Sequence, residues 1–451
     1  MLLITASVLG AFAARRFAIG IDVGTGSARA GIVDVQSGAL VAVHKQSIKT
    51  WTPLPEHHEQ SSDDIWAACA ACVRQAMSSS GVASSEIVGL GFDATCSLVC
   101  LDEASRPVGI DPTVPMDDER NIILWMDHRA NEQAAAINAL GHERLAQVGG
   151  TISPEMEIPK IKWLRDHLPE AFDRSKRLFD LSDFLVHRAT DYQSEVRSLC
   201  TTVCKWNYDV DAQGGGRGWD RTFLRAVGFH DDELPPSCIG ADVQPPGARV
   251  PGGLGPAAAE ELGLDAGVPL AVGIIDAHAG GIGSLGVDLP GSPALAERLA
   301  LIAGTSTCHM ASSADPCFVP GVWGPYYGAM LPGMYLNEGG QSAAGALLDH
   351  IISSHAAYPE LQAIATAAQV PPSLALNQRL EQMAEVRWRG STEPNRAPTG
   401  PTGARVEPRW DPMDIGPSRT QSNPCARHPA PTRSNGVPMR HKNNVWPPMF
   451  G

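Results

Sequence analysis

FAIGIDVGTGSARAGIVD, residues 17–34, is the stretch that decides the fold class of this chain. From residue 19 to 23 every second residue is apolar, and the same alternation returns from residue 28 to 32. A period of two is typical of β-strands with one buried face, and the glycines between the two segments favour a tight turn. The stretch therefore predicts a β-hairpin.

The turn of this hairpin, Gly24, Thr25, Gly26 and Ser27, is a candidate phosphate cradle. Glycines at a hairpin tip let several backbone N–H groups point into one concavity, which suits a polyphosphate. Asp22 lies at the end of the first strand, where its carboxylate can hold the Mg2+ that accompanies a nucleotide. A hairpin whose glycines only turn the chain is the alternative, and the loop by itself does not separate the two.

Two common nucleotide motifs are excluded. A dinucleotide-binding loop needs G-x-G-x-x-G at the start of a helix, whereas Gly26 is followed by Arg29 and strand-forming residues. The chain also has no G-x-x-x-x-G-K-[ST] run, so a Walker-type NTPase is unsupported.

Length and composition favour a multi-domain protein that acts on small molecules. A chain of 451 residues is too long for one ordinary core and suits two domains. The net charge of −14 argues against a nucleic-acid binder or a protein that binds anionic membranes.

The ten cysteines show one C-x-x-C pair, Cys69 and Cys72. Both lie in a segment with helical periodicity, on its apolar face, so we interpret them as core thiols and not as metal ligands. Reduced thiols favour a cytoplasmic location. Residues 2–14 resemble the apolar part of a signal peptide but lack a basic segment before it, so export is the less favoured alternative. No other apolar run reaches transmembrane length.

The elements after the hairpin indicate an actin-like or ribonuclease-H-like core. Residues 39–43 predict a third antiparallel strand, residues 63–77 a helix, and residues 87–92 a buried strand. Three antiparallel strands, a helix and another strand are how such a core begins. Residues near 116–235 are predicted to be an insertion of the kind that often carries specificity.

The opening arrangement returns in the second half of the chain. LAVGII, residues 270–275, predicts a buried strand that ends at Asp276. LALIAGTSTCHMASS, residues 299–313, then repeats the order of apolar strand, Gly-Thr turn and second strand. Two such hairpins predict a duplicated core with a nucleotide bound between its halves.

The pattern changes after residue 370. Residues 371–451 hold 14 of the 36 prolines, and residues 391–451 carry eight Lys and Arg against four Asp and Glu. This composition predicts a disordered or aberrant tail.

Taken together, these predicted elements and their motifs resemble the FGGY carbohydrate kinases, and among them the ribulokinases. The resemblance runs from about residue 17 to about residue 370. It rests on the motifs IDVGTGSARAG (21–31), GFDATCSLV (91–99), WMDHRA (125–130), VCKW (203–206), IDAHAGG (275–281), GTSTCHM (304–310), VPGVWGPY (319–326) and LNEGGQS (336–342). It implies two actin-like domains, with a sugar bound to the first and ATP in the cleft between them.

The resemblance implies that Asp276 is the catalytic base, which removes the proton from a sugar hydroxyl as this attacks the γ-phosphate of ATP. The position agrees with that role, because Asp276 follows a buried strand at a Gly-rich turn. A helix N-cap is its alternative role. The resemblance also implies that a ketopentose is held by Ala94, Lys205 and Glu338. For the last two, membership of a structural ion pair is the alternative.

The resemblance places Asp127 and Arg129 near the cleft, with a pair of surface charges as the alternative. Gly304, Thr305 and Ser306 match a second phosphate loop that is implied to face the transferring end of ATP. ATP and Mg2+ are thus the implied cofactors, and a sugar is the other small-molecule partner. The sequence does not indicate an oligomeric state.

The fold class predicted is α/β, an actin-like ATPase (ribonuclease-H-like) two-domain fold with an incomplete second domain. The predicted parts are an N-terminal extension (1–14), a sugar-binding domain (15–275), a partial ATP-binding domain (276–370) and the Pro-rich tail (371–451). Family members continue for well over a hundred residues after the second hairpin and supply a Gly-Gly-x-x-x-Asn loop for adenosine, whereas no Gly-Gly pair follows Gly340 here.

The function expected is ATP-dependent phosphorylation of a pentulose such as ribulose; ribitol, xylulose and other polyols stay open. The missing adenosine loop favours an alternative, a catalytically impaired sugar-binding or regulatory remnant. A dehydrogenase is a distant third possibility. An incomplete second domain would leave sheet edges and apolar helix faces uncovered and would hold residues 304–306 loosely, so little turnover is expected from the chain as written.

Overall fold

The computed structural model describes residues 15–114, 117–210, 218–287, 290–304, 306–341 and 343–391. The strands are β1 (Phe17–Gly24), β2 (Ser27–Asp34), β3 (Leu40–Ser47), β4 (Glu59–Gln60), β5 (Ile87–Ala94), β6 (Leu98–Leu101), β7 (Ile122–Ile123), β8 (Arg177–Asp180), β9 (Arg197–Ser198), β10 (Val243–Gln244), β11 (Arg249–Val250), β12 (Leu270–Ala271), β13 (Ile274–Ile275), β14 (Leu299–Ala303), β15 (Thr307–Ser313), β16 (Trp323–Tyr327) and β17 (Tyr335–Gln341). The helices are α1 (Ser62–Ser80), α2 (Asn131–Ala139), α3 (Glu157–His167), α4 (Pro169–Arg174), α5 (Leu181–Ala189), α6 (Leu199–Lys205), α7 (Arg221–Val227), α8 (Pro236–Ile239), α9 (Pro256–Leu262), α10 (Asp276–Leu285), α11 (Gly345–Ser354), α12 (Tyr358–Ala368) and α13 (Pro372–Ser391).

The predicted hairpin and meander are confirmed. β1 pairs antiparallel with β2, with Gly24 opposite Ser27, and β2 pairs antiparallel with β3. Side chains on one face of β1 are buried, including Ile21 and Val23, because the alternation turns them toward α1 and the core. On its other edge β1 pairs in parallel with β5, and the sheet continues in the order β11-β12-β5-β1-β2-β3.

Helix α1 covers one face of this sheet and has clear end signals. The hydroxyl of Ser61 accepts a hydrogen bond from the backbone N–H of Asp64 at 3.3 Å, and Gly81 closes the helix in the left-handed conformation. Cys69 and Cys72 lie on the buried face of α1, as expected for structural thiols.

The strand predicted over residues 270–275 is interrupted. It forms β12 and β13, both parallel to β5, with Val272 and Gly273 between them. A Cβ at Gly273 would lie 3.0 Å from the backbone oxygen and Cβ of Ser182 in α5. The close approach of this helix explains both the break and the glycine.

The predicted insertion forms a second, smaller layer together with β4 and β6, which precede it in the chain. Strands β4, β7, β6 and β8 make an antiparallel sheet in the order β4-β7-β6-β8, and helices α2, α3, α4, α7 and α8 pack around it on a separate apolar core. Helix α5 packs on the core of the first sheet instead. Helix α6, whose last residue is Lys205, packs in a third apolar cluster together with Ile275 and Tyr326.

The second hairpin also forms as predicted. β14 pairs antiparallel with β15, which pairs with β17, and the sheet order is β14-β15-β17-β16. Within the described residues no strand pairs with the outer edge of β14, and its Leu299 and Leu301 are each 57% exposed. Leu348 and Ile351 of α11 are exposed as well. Uncovered apolar faces were expected from the sequence.

Part of the predicted tail differs from expectation. Residues Pro372–Ser391 form α13, because this segment has Pro in its first turn followed by strong helix formers such as Leu, Gln, Glu, Met and Arg, while most of the prolines lie beyond it. The predicted extension, residues 1–14, and the rest of the predicted tail lie outside the described residues. The division of the chain at residues 275 and 276 stays a prediction.

No helix in the described ranges combines the length and the apolar character needed to cross a membrane.

Candidate functional site

A cavity of about 760 Å³ opens where the ends of β1, β5 and β13 face the hairpin of β14 and β15. Its walls come from both halves of the described chain. They include Asp22, Thr25, Asp93, Lys205, Asp276, Gly304, Ser306, Trp323 and Glu338. Seven of the fourteen residues that the sequence nominated therefore line a single cavity, although they are up to about 300 residues apart in the chain.

The carboxylates of Asp22, Asp93 and Asp276 lie at one side of this cavity, because the three adjacent parallel strands β1, β5 and β13 end there. Asp22 in β1 is the register partner of Asp93 in β5, and Ile275, directly before Asp276, is paired with Ala94. Burial, followed by the charges of Asp22 and Asp276, raises the pKa of Asp93 to about 8. Arg29 Nη1 donates to Asp22 Oδ2 at 2.5 Å and partly balances the negative charge.

Asp93 is a site residue that sequence reasoning missed. The sequence did contain a sign of this role: Asp93 directly follows the predicted buried strand 87–92, and Asp22 likewise lies near the end of a predicted strand. The pairing of these strands side by side is a tertiary fact, and only that pairing brings the two carboxylates together.

The carboxylate set fits a hard divalent cation such as Mg2+. Mg2+ prefers oxygen ligands and is commonly held by one or two carboxylates together with waters and phosphate oxygens. Burial, together with the negative charges of Asp22 and Asp276, favours a proton on Asp93. A cation would relieve the repulsion between these carboxylates, so Asp22 and Asp93 are the two residues that would hold it.

Asp276 is the first residue of α10. Its Oδ1 accepts a hydrogen bond from the backbone N–H of Ala277 at 2.7 Å, so the carboxylate contributes to the helix start while also lining the cavity. Burial raises the pKa of Asp276 to about 6, which leaves it ionised at neutral pH and more basic than an ordinary aspartate.

Lys205 and Glu338 also line the cavity, and both are almost completely buried. Lys205 is 6% exposed, and its Nζ lies 4.4 Å from the ring centroid of Trp323. Glu338 in β17 is 4% exposed, and its Oε2 lies 3.2 Å from His278 Nε2. Burial opposes the charge of Glu338, but His278 and Lys205 outweigh it and lower the pKa of Glu338 to about 2.

Of the two hairpin turns, Thr25, Gly304 and Ser306 line the cavity, whereas the nominated Gly24, Gly26 and Ser27 do not. Thr25 is held by one residue of the insertion and one of β4: its Oγ1 accepts from Trp125 Nε1 at 3.0 Å, and its carbonyl accepts from Gln60 Nε2 at 2.8 Å. In the second turn the N–H of Gly304 donates to the carbonyl of Ser306 at 2.7 Å. Thr305 lies outside the described residues.

The remaining nominated residues do not line the cavity. Ala94 is fully buried, and its neighbours Asp93 and Thr95 form the wall instead. Asp127 and Arg129 are buried rather than exposed charges. Arg129 Nη2 lies 2.8 Å from Asp127 Oδ2 and 2.9 Å from Glu59 Oε1. A direct role for Asp127 and Arg129 at the cleft stays a prediction, while their ion pair has a visible structural role in holding β4 to the WMDHRA segment.

Comparison with known proteins was made for the whole chain. Residues 17–283 match the N-terminal domain of the FGGY family of carbohydrate kinases, and residues 299–405 match the C-terminal domain of that family. A human protein named FGGY carbohydrate kinase domain-containing protein is 49% identical over 362 residues, which is 78% of this chain and 63% of the relative. A D-ribulokinase of Saccharomyces cerevisiae is 40% identical over 398 residues, which is 82% of this chain and 54% of the relative. The chain thus spans less than two thirds of the length of these relatives.

The fold has solved counterparts. The crystal structure of xylulose kinase from Rhodospirillum rubrum superposes with a TM-score of 0.61 at 22% identity, covering 79% of this chain and 67% of the neighbour. The structural neighbours are sugar kinases, so the predicted α/β actin-like fold class is confirmed. Because a family domain matches more than half of its residues, the chain belongs to the FGGY family of carbohydrate kinases.

Proposed function

We propose that this protein transfers the γ-phosphoryl group of ATP to a hydroxyl of a pentulose, with a ribulose-like ketopentose as the preferred class of acceptor. The observation that carries the proposal is that Asp276, at the start of α10, lines the same cavity as Lys205, Glu338 and residues of both hairpin turns. The relative named as a D-ribulokinase supports the choice of ketopentose.

In this mechanism Asp276 accepts the proton of the attacking hydroxyl. Phosphoryl transfer requires a base within hydrogen-bond reach of that hydroxyl and depends mainly on positioning and charge stabilisation. The Asp276 carboxylate meets the first requirement because the backbone N–H of Ala277 holds one of its oxygens and the cavity remains open beside it. The base is therefore oriented before substrate arrives.

Sugar recognition is assigned to Lys205, Glu338 and Trp323. A lysine ammonium only donates hydrogen bonds and a glutamate carboxylate only accepts them, so together they suit neighbouring hydroxyl or carbonyl groups of a sugar. The indole of Trp323 offers a flat apolar surface at the same place. A pair of opposite charges buried beside an aromatic ring therefore favours a small polyol over an apolar ligand.

The phosphates of ATP are assigned to the turns at residues 24–27 and 304–306, because backbone N–H groups of glycine-rich turns can bind anionic oxygens. The N–H of Gly304 would exchange its bond to the carbonyl of Ser306 for one to a phosphate. Asp22 and Asp93 would hold Mg2+, which supplies neutralisation of phosphate charge when it is bound. Arg29 adds a positive charge at the same side of the cavity.

The test is a panel of pentuloses, pentoses and polyols, with ADP release followed by a coupled assay and sugar binding followed by calorimetry. Asp276→Asn is the matched control, because it keeps the side-chain shape and removes the base. Because the second domain is incomplete, we expect only slow ADP release with ribulose in the parent chain, and its complete loss in Asp276→Asn, with sugar binding retained in both. Sugar binding without ADP release in the parent chain would instead support the binding-only remnant, and undiminished turnover in Asp276→Asn would refute the role of Asp276.

A cytoplasmic location stays a prediction.

A further inference from the structure

Three soft donor side chains meet beneath the floor of the cavity. Cys200 and Cys204 lie four residues apart in α6, on one face of that helix, and His278 reaches them from α10. One ligand atom from each side chain lies within 4.8 Å of the other two, and all three residues are buried. Cys200 Sγ and His278 Nδ1 are 2.9 Å apart.

The second nitrogen of His278 is held by a carboxylate. His278 Nε2 lies 3.2 Å from Glu338 Oε2, which places the imidazole N–H on Nε2 and leaves the Nδ1 lone pair facing the two sulfurs. A carboxylate on the far nitrogen of a ligating histidine is the usual outer-shell arrangement at metal sites, where it fixes the tautomer and the ring orientation.

We propose that Cys200, Cys204 and His278 bind one thiophilic d10 metal ion, either Zn2+ or Cu(I). Two thiolates and one imidazole match the ligand preferences of both ions and are poor ligands for Mg2+. Cu(I) would be satisfied by three ligands, whereas Zn2+ would take a small fourth ligand such as water. The site is separate from the carboxylates of Asp22 and Asp93.

Metal binding requires only a small adjustment. Metal–sulfur and metal–nitrogen bonds of about 2.3 and 2.05 Å at a tetrahedral angle place the two donor atoms about 3.6 Å apart. Cys200 Sγ and His278 Nδ1 must therefore separate by about 0.7 Å from their hydrogen-bonded distance, a movement within the reach of side-chain torsions.

The ion would tie together two helices that carry the proposed chemistry. Cys204 directly precedes Lys205 in α6, and His278 follows Asp276 by two residues in α10. The metal site itself rests on the donor geometry and not on the proposed phosphoryl transfer.

The experiment measures metal content and spectra of the full chain. Because the cluster is buried, the protein is produced in medium supplemented with Zn2+ or with copper, purified under reducing conditions, dialysed and analysed by elemental mass spectrometry. Co2+ serves as a spectroscopic probe for the zinc arm, since two thiolates give intense sulfur-to-cobalt charge-transfer bands. Cys200→Ser and Cys204→Ser remove one ligand each. Cys238→Ser is the matched control, because Cys238 is also buried and lies outside the cluster, with its sulfur 3.8 Å from the carbonyl of Ser175.

We expect about one equivalent of Zn2+ or Cu(I) in the parent chain and in Cys238→Ser, and a metal affinity at least about tenfold lower in each ligand variant. Glu338→Gln, which keeps all three ligands, should weaken binding by about 10- to 100-fold. The proposal is overturned if the reduced parent chain retains neither ion and shows no cobalt–thiolate bands. It is equally overturned if peptide mapping shows Cys200 and Cys204 joined as a disulfide, or if both ligand variants retain metal as the parent does. Circular dichroism of each variant separates loss of ligand from loss of fold.

Discussion

Asp22 and Asp93 are register partners on the adjacent parallel strands β1 and β5, so two carboxylates project from the same end of the sheet. The charge of Asp22 contributes, after burial, to a pKa of about 8 for Asp93. Two acidic groups in this position are costly without a cation.

The first prediction concerns metal dependence. Asp93→Asn should raise the Mg2+ concentration needed for half-maximal ATP binding by about tenfold, equivalent to about 1.4 kcal/mol, because one oxygen ligand loses its charge. Calorimetric titration of ATP at a series of Mg2+ concentrations measures the effect. Asp231→Asn, an exposed residue far from the cavity lining, is the control and should leave the titration unchanged. An unaltered Mg2+ requirement in Asp93→Asn would remove this residue from the metal site.

The second prediction concerns sugar binding. Lys205→Met should weaken sugar binding by about 10- to 100-fold, since a charged hydrogen bond contributes about 1.5–3 kcal/mol. The change also takes a compensating cation away from the buried Glu338, so some loss of stability is expected with it. Calorimetry with ribulose and a thermal unfolding curve measure the two effects separately.

Lys162→Met is the matched control for Lys205, because Lys162 pairs with Asp166 one helical turn away on α3. Its removal should change sugar affinity by less than a factor of two and stability by at most about 0.5 kcal/mol. Equal sugar affinities for Lys205→Met and the parent chain would place the sugar elsewhere.

The third prediction concerns stability and pH. Burial lowers the pKa of His187 to about 4; its ring stacks on Phe179 and lies within hydrogen-bond distance of Ser105 and of the carbonyl of Ser194. In the unfolded chain its pKa is about 6.5, so the unfolded state binds a proton at a higher pH than the folded state does. The contribution of His187 to stability is therefore fully present above about pH 6.5 and is lost as the pH falls toward 4.

The difference between the folded and unfolded pKa of this single histidine corresponds to a loss of about 3 kcal/mol in the free energy of unfolding. Charged neighbours also shift the pKa of His187: Arg197 and Arg177 lower it, and Glu195 raises it. Urea unfolding at pH 7.5 and pH 4.5, compared between the parent chain and His187→Gln, isolates its share. The prediction is wrong if the variant loses as much stability over this range as the parent.

The fourth prediction concerns the strand break before Asp276. Gly273→Ala should cost about 1–3 kcal/mol, because the new methyl group would lie 3.0 Å from backbone and side-chain atoms of Ser182. Gly283→Ala in α10 is the control, since no atom lies within 4 Å of its added Cβ, and it should be neutral or stabilising by up to about 1 kcal/mol. Chemical denaturation ranks the two variants. Equal stabilities would mean that α5 yields to the methyl group without cost.

The sequence by itself determined the local elements of this protein. Alternation over residues 17–34 specified a hairpin, the apolar periodicity over residues 63–77 specified most of α1, and the repeat at residues 299–313 specified a second hairpin. These features depend on neighbours a few residues away, through the pleat of a strand, the periodicity of a helix and the conformational freedom of glycine. The family motifs also nominated Asp276, Lys205 and Glu338, which the structure places around one cavity.

Only the tertiary structure decided what surrounds those residues. Asp93 became a site residue because β5 lies beside β1, and Arg129, which was weighed as a surface charge, is buried against Glu59. Cys200 and His278, 78 residues apart, come within 2.9 Å because α6 and α10 pack together. Burial and the distance between charges set pKa values and ligand geometry, and both depend on contacts between distant segments, which no local pattern in the sequence encodes.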